Sequence, residues 1–488
     1  MKLNQLSKKF ILKSFRPYHF IILFIAGVAL CETVSNTLAL IIGANLIIIG
    51  LLFLIFLRSK TVLALFGVFV LGLIYFETFQ AATLKNIEPK CQIVSIKSAV
   101  KVSSGSLEFA VIDKSGGRAV LQVKKARPVG YNDKIRICPN LAKPVATSGG
   151  FKRYLLSKYK SSDLYSLDEI EFIQAGGGAL RKLFSFSASI GDICQKLFPG
   201  DIGVLAKGLL IGQTDAFSGA FKKLMRSSGT THLVAVSGYN VSIIAISLFG
   251  FIRSLISRRA AVAVSLCVLV LFCLLTGATA SVLRATIMGA ILILGKIIGR
   301  RSAGINALFV AALLMILFNP FSLWDAGFQL SFAATMGLVM SEPIVKPVLA
   351  LIKNAFALNF AKAFGETIFA QIFTLPILLI GFGNFSWIAP LANLLILPFV
   401  PVAMSFLAIT VSAYFIYPIF GIFVAGATEL LLRYFTIVIS VFGSWRFSAL
   451  SLKDLSWLWT IPSYALIASA FVLLKSFVKK HFKDKFYG

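Results

Sequence analysis

Residues 231–252 read THLVAVSGYNVSIIAISLFGFI. The run is apolar and reaches the roughly 20 residues that carry a helix across a bilayer. It nevertheless holds His232, Ser237, Asn240 and Ser242, with Gly238 directly after the serine. A polar group in hydrocarbon is costly unless it lines water or finds a partner. A helix broken at Ser237-Gly238 is tolerated only where protein or water satisfies the freed backbone groups. The stretch therefore predicts a membrane helix interrupted part-way, as pores and substrate sites are commonly built.

Working outward, further apolar runs lie near 260–276, 281–298, 303–318, 324–341, 364–382, 388–415, 418–442 and 456–475, and earlier ones near 18–36, 38–57 and 61–80. The expectation is a polytopic α-helical membrane protein of roughly twelve spans. Composition agrees, with 58% hydrophobic and 14% charged residues, against about 25% charged in a typical soluble domain. The basic start resembles a signal peptide, but no small-residue cleavage site follows, Leu30 precedes Cys31, and apolar sequence resumes at Leu38. It reads as a first span.

The chain carries 48 Lys and Arg against 19 Asp and Glu, a net charge of +29. Such an excess suits either an anionic lipid surface or a polyanion such as DNA. Much of it falls at alternate junctions: Arg58 and Lys60; Arg253, Arg258 and Arg259; Lys296, Arg300 and Arg301; Lys346, Lys353 and Lys362. The positive-inside rule places these junctions, and both basic termini, in the cytoplasm. The domains expected are membrane helices over 1–83, an exported domain over 84–176, amphipathic interfacial helices over 177–230, a membrane domain over 231–480 and a basic tail over 481–488.

In the exported region CQIVSIKSAV, SLEFAVID, RAVLQVKK, DKIRIC and DEIEFIQ alternate with period two, so five short strands are expected. Ala119, Leu121 and Val123 should face a core, and Gln122 and Lys124 water. An inserted extracellular OB-like β-barrel suits this pattern, and such barrels often bind nucleic acid; a plain spacer domain suits it equally. Lys124, Lys125, Arg127, Lys152 and Arg153 are candidate DNA contacts on this domain. Cys91 and Cys138, in its first and fourth strands, are a candidate disulfide on the oxidising side of the membrane. After the glycines at 176–178, Leu183, Phe186, Ile190, Ile193 and Leu197 form a helical stripe. Phe217, Phe221, Leu224 and Met225 form another, and both helices read as interfacial.

Further polar residues of the membrane segments are Arg284, Asp325, Gln329, Ser331 and Asn393, with Glu366, Gln371, Glu429 and Arg433. Glu429 and Arg433 fit an i,i+4 ion pair on one helix. Arg284 would attract a phosphate backbone if it faced a cavity, and would otherwise serve as the partner of Asp325. His232 and Ser237 are poor candidates for a hydrolytic pair, lying about 140° apart on an ideal helix with no orienting acid nearby. GAILILGK, residues 289–296, has five residues between its glycines and an Ile after its lysine, so it is a membrane helix and not a phosphate-binding loop. With three histidines and no Cys-x-x-Cys pair, no metal site and no cofactor are expected.

Three stretches carry a family resemblance: LLIGQTDAFSGAFKKLMRSSGTTHLVAVSGYNVSII, the run from SVLRATIMG to ATMGLVM, and FTLPILLIGFGNFSWIAPLANLLILPFVPV. They resemble ComEC-type competence proteins, the inner-membrane channels of natural transformation, and SGGFKRYLLSKY is similar to a motif in that family's extracellular OB-like domain. The resemblance implies passage of single-stranded DNA past His232, Ser237, Gly238, Asn240, Arg284, Asp325, Gln329, Ser331 and Asn393. It implies membrane lipids, an extracellular ComEA-like DNA receptor, a separate nuclease and a cytoplasmic ATP-driven translocase as partners. Asn240 stands where the family usually has histidine. The sequence ends at Gly488 without the metallo-β-lactamase-like domain of many members, so the expectation is a short-form transport channel and not an enzyme. The competing reading is a secondary transporter or flippase of an anionic lipid or metabolite, for which internal repeats should be visible; none is convincing.

Overall fold

The structure is a computed structural model that describes residues 17–33, 60–83, 87, 91–98, 100–103, 106–125, 129–138, 143–145, 149–161, 163–214, 216–234, 238–298, 304–451 and 457–486. Most of these residues are helical. Six of the described helices are long and apolar enough to cross a membrane: Arg258–Leu275, Ala326–Leu349, Ala357–Phe382, Ala389–Ile416, Pro418–Ser444 and Thr460–Val478. Three shorter apolar helices, Gly67–Ala81, Ala280–Gly295 and Gly304–Phe318, accompany them. The protein is a polytopic helical membrane protein. Described helix falls within each expected span except 38–57, which lies outside the described residues.

Small residues set the helix packing. The Pro17–Thr33 and Lys60–Thr83 helices cross at reciprocal glycines: a Cβ on Gly27 would strike the Phe69 carbonyl, and one on Gly72 the Phe24 carbonyl. Lipid offers helices no hydrophobic drive to associate, so close backbone approach at small residues supplies the contact. The prolines do different work by position. Pro376 lies inside the Ala355–Phe382 helix. Pro390 sits in the first turn of Ala389–Ile396, where its missing N–H costs nothing, and so begins a helix. Pro398 lies in a 3-10 turn, Leu397–Phe399, that joins this helix to Val400–Ile416.

Residues 92–174 contribute one eight-stranded sheet: β1 Gln92–Ile96, β2 Lys101–Ser103, β3 Ser106–Ile112, β4 Arg118–Lys125, β5 Lys134–Ile137, β6 Lys143–Pro144, β7 Leu164–Glu169 and β8 Glu171–Gln174. Its order is β6-β7-β4-β3-β1-β5-β8, with β2 beside β3 and the β4–β7 pair parallel. Only Ile170 separates β7 from β8, yet they flank opposite sides of the sheet, so the sheet must curl on itself. The expected fifth strand is thus two strands beginning at Leu164, and β2 and β6 are additional. Ala119, Leu121 and Val123 are buried as the alternation requires. Val120 is buried as well, because the Gly149–Tyr159 helix lays Leu155 and Tyr159 over that face of the sheet. Cys91 and Cys138 are joined by a disulfide, 47 residues apart in sequence.

Between sheet and bundle, the glycine joint is held. Asp133, 1% exposed, accepts backbone N–H bonds from Gly130 and Gly176 at 2.7 Å each and pairs with Arg181 beyond the joint. The next helix, Ala179–Leu197, buries Ser187, Gly191, Ile193 and Cys194, with Ile190 and Leu197 of the apolar stripe packed on the same cluster, while Phe186 remains exposed. A Gly200–Ile211 helix that periodicity did not single out follows. The Gly219–Ser228 helix uses its apolar stripe on protein: Phe221 and Met225 pack in one cluster with Leu432, Phe435 and Ile439 of the Pro418–Ser444 helix.

Candidate functional site

The described residues of 231–252 form a four-residue helix, Thr231–Val234, and a second helix, Gly238–Leu255, while the expected break at Ser237-Gly238 falls on residues 235–237, outside the described residues. Ser237 lies outside the described residues. Gly238 opens the second helix directly against Arg284, near whose guanidinium a Cβ would collide.

Arg284 sits one turn inside the Ala280–Ile298 helix and is 8% exposed. Its Nη1 donates to the Thr335 hydroxyl and lies 3.9 Å from the Met288 sulfur, and its guanidinium rests 5.9 Å from the centre of the Phe332 ring. Among the described residues its Nε has no hydrogen-bond acceptor and the side chain has no carboxylate partner. The polar strip continues across the two facing helices: Ser331 Oγ donates to Ser281 Oγ at 3.2 Å, and Thr335 Oγ1 donates to the Ser331 carbonyl at 2.8 Å. Burial of a positive charge without a counter-ion is strongly unfavourable unless water or an anion reaches it. The arrangement is therefore a site that can meet an anion.

Asp325 is not the counter-ion of Arg284. Its carboxylate caps the Ala326–Leu349 helix, accepting from Phe328 N at 2.8 Å, and accepts from Ser157 Oγ at 3.3 Å. The expected span at 324–341 thus begins with a 3-10 turn, Pro320–Trp324, followed by an Asp-capped helix. Gln329 serves the same turn, its Nε2 donating to the Leu323 carbonyl at 3.0 Å. Capping residues satisfy orphan backbone N–H groups. Asp325 and Gln329 shape the start of the helix that presents Ser331, Phe332 and Thr335 to Arg284.

A second polar group lies at the Asn384–Ser386 strand. Ser386 Oγ donates to the Ser227 carbonyl at 2.6 Å, and Gln371 Nε2 donates to the Ser386 carbonyl at 2.6 Å. Gly229 packs against Ala389, one turn before Asn393 on the Ala389–Ile396 helix. Asn393 is 4% exposed, and its Oδ1 has no donor among the described residues. Asn240 is 1% exposed on the Gly238–Leu255 helix. The stretch bearing His232 therefore runs between two anchors, Gly229 on the Asn393 helix and Gly238 on Arg284. Thr335, Ser281, Ser227 and Ser386 were not singled out from sequence; the i,i+4 spacing of Ser331 and Thr335 was the available signal.

The candidate DNA contacts of the sheet domain separate. Lys124 pairs with Asp168 at 3.2 Å. Lys152 and Arg153 are exposed on the Gly149–Tyr159 helix, the Lys125 side chain is not described, and Arg127 lies outside the described residues. That helix is a bridge: Leu155 and Tyr159 face the sheet, and Leu156 joins the membrane-domain cluster of Met315, Ile316 and Phe321. The Asn319 amide donates to the Ser157 carbonyl at 2.5 Å, and Lys160 Nζ donates to the Phe318 carbonyl at 3.1 Å. Burial, and secondarily the nearby Arg118 cation, pushes the Lys160 ammonium below the usual lysine range. Glu429 and Arg433 form the expected i,i+4 ion pair at 2.7 Å.

The family model described as "Competence protein" matches residues 209–477, more than half of the chain and nearly all of the membrane domain. ComE operon protein 3 of Bacillus subtilis (strain 168) is 32% identical over 240 residues, 48% of this chain and 29% of that protein. The chain thus aligns with less than a third of that relative's length. No solved structure matches. The matched region contains the Gly238–Leu255 helix, Arg284, the Ser331–Thr335 strip and Asn393, and the chain belongs to the competence protein family.

Proposed function

We propose that the chain is a membrane channel that passes single-stranded DNA into the bacterial cytoplasm during natural transformation. The observation that carries this reading is Arg284, a buried guanidinium with no carboxylate partner among the described residues, set against Gly238 at the start of a helix and beside a strip of hydroxyls. A strand of phosphates satisfies such a cation while it passes. Family membership supports DNA uptake as the process.

In this reading the termini are cytoplasmic and the curled sheet is an OB-like receiving domain on the outer side. The Gly149–Tyr159 helix holds it over the membrane domain at Phe318–Asp325. Contacts are to backbone and base faces, so no sequence preference is expected. An outer DNA receptor would deliver the strand, a separate nuclease would remove its complement, and a cytoplasmic ATP-driven translocase would pull it through. Deleting the gene should leave DNA bound at the cell surface and abolish its delivery to the cytoplasm; normal transformation of the deletion strain would contradict the proposal.

A further inference from the structure

The Gly219–Ser228 helix presents Lys222, Lys223, Arg226 and Ser227 to a cavity of about 360 Å³ that is also lined by Asn384 and Ala449. The helix cannot turn to disperse these charges, because Phe221 and Met225 are locked against the Pro418–Ser444 helix, and Ser386 Oγ holds the Ser227 carbonyl. Among the described residues Lys223 and Arg226 have no carboxylate partner. Like charges at i,i+3 and i,i+4 disfavour a helix by a few tenths of a kcal/mol per pair, and cations in its N-terminal half oppose the macrodipole. Lys222 and Lys223 thus work against the helix that bears them, whereas Arg226 in its last turn opposes them only as a like charge, and an anion seated in the cavity offsets the repulsion.

Two neighbours indicate which anion. The cavity has no large apolar side chain in its lining, so it offers no bed for acyl chains. The exposed aromatics suited to lipid headgroups, Trp387, Trp445 and Phe447, line a different cavity, beside the Ser386–Ala449 end of the paired strands Asn384–Ser386 and Ala449–Ser451. The cationic helix also leads, through Gly229, straight into the segment that ends on Arg284. We propose that Lys222, Lys223 and Arg226 form a phosphodiester-binding vestibule that receives single-stranded nucleic acid ahead of the membrane path. The identity of the anion rests on the channel reading above; the site itself does not.

The experiment measures binding of a fluorescent oligothymidylate to the full-length protein in neutral-lipid nanodiscs across a salt series, for wild type and the Lys223→Ala/Arg226→Ala variant. Each lost phosphate contact on a single strand lowers the log–log salt slope by about 0.7. The variant should therefore show a slope smaller by about 1.4 and roughly tenfold weaker binding at low salt. A Lys223→Arg/Arg226→Lys variant should retain both. An unchanged slope and affinity in the alanine variant overturns the proposal. So does a variant whose only defect is loss of binding to vesicles containing anionic phospholipid, which makes the site a lipid site. Arg284→Ala protein that binds the oligomer normally but fails to conduct leaves the vestibule standing. Conduction by Arg284→Ala with normal vestibule binding would instead count against the channel reading alone.

Discussion

Gly238 and Arg284 touch so closely that residue 238 can carry no side chain without moving the guanidinium. The glycine is required by this neighbour. Gly238→Ala should displace Arg284 from Thr335 and reduce transformation by an order of magnitude or more while the protein still inserts. Gly250, on the same helix, has open space where its Cβ would be. Gly250→Ala should transform normally, although both substitutions favour helix formation intrinsically. Equal effects of the two, with equal protein in the membrane, would count against the steric argument.

The Asp133–Arg181 pair locks the glycine joint between the sheet and the first helix after it. Arg181→Ala leaves Asp133 buried with its two backbone N–H donors. A hydrogen bond to a charged group contributes about 1.5–3 kcal/mol. The joint at 176–178 should then open about tenfold more often or beyond, and limited proteolysis in detergent should cleave there correspondingly faster. Cleavage at the wild-type rate would show that the joint is held by something else.

The Cys91–Cys138 link closes a loop with 47 residues of sequence separation. Chain-entropy bookkeeping assigns such a loop about 4 kcal/mol, a large share of a small domain's stability. Thiol labelling of unreduced protein should spare both residues. Cys91→Ser should lower the amount of intact protein, with the loss centred on the eight-stranded sheet in hydrogen exchange.

Acid should loosen the β3–β4 turn. Asp113 is 6% exposed, and Oδ1 accepts from the Ser115 amide and hydroxyl and the Gly117 amide at 2.7–2.9 Å. Burial alone would raise its pKa, but these hydrogen bonds outweigh it and hold the carboxyl below its usual value. A lowered folded pKa contributes stability that is complete above the unfolded value near about 3.9 and is lost as pH falls through the folded one. Amide protection around 113–118 should therefore fall on acidification below about pH 4. Asp113→Asn should show much less pH dependence in that window.

Much of the fold was legible because its signals are local. Period-two alternation located β1, β3, β4 and β5, and apolar length located the membrane helices. The remainder depended on partners distant in sequence. Val120 looks solvent-facing until the Gly149–Tyr159 helix covers it, and Asp133 looks like an ordinary turn residue until Arg181 folds back on it. At the site, polar residues inside hydrocarbon marked Arg284, Ser331 and Asn393. The same criterion made Asp325 a partner for Arg284, whereas the Pro320–Trp324 turn brings Asp325 to a helix terminus, where backbone N–H groups claim it.

The channel reading stands on Arg284. Cells carrying Arg284→Ala, with the protein at wild-type level in the membrane, should be given labelled DNA and scored separately for surface-bound and cytoplasmic label. Surface binding should be unchanged and cytoplasmic label should fall by at least an order of magnitude, with Arg284→Lys recovering little of it because the planar fork is lost. Cytoplasmic label at the wild-type level in the alanine strain would contradict a phosphate path past this residue.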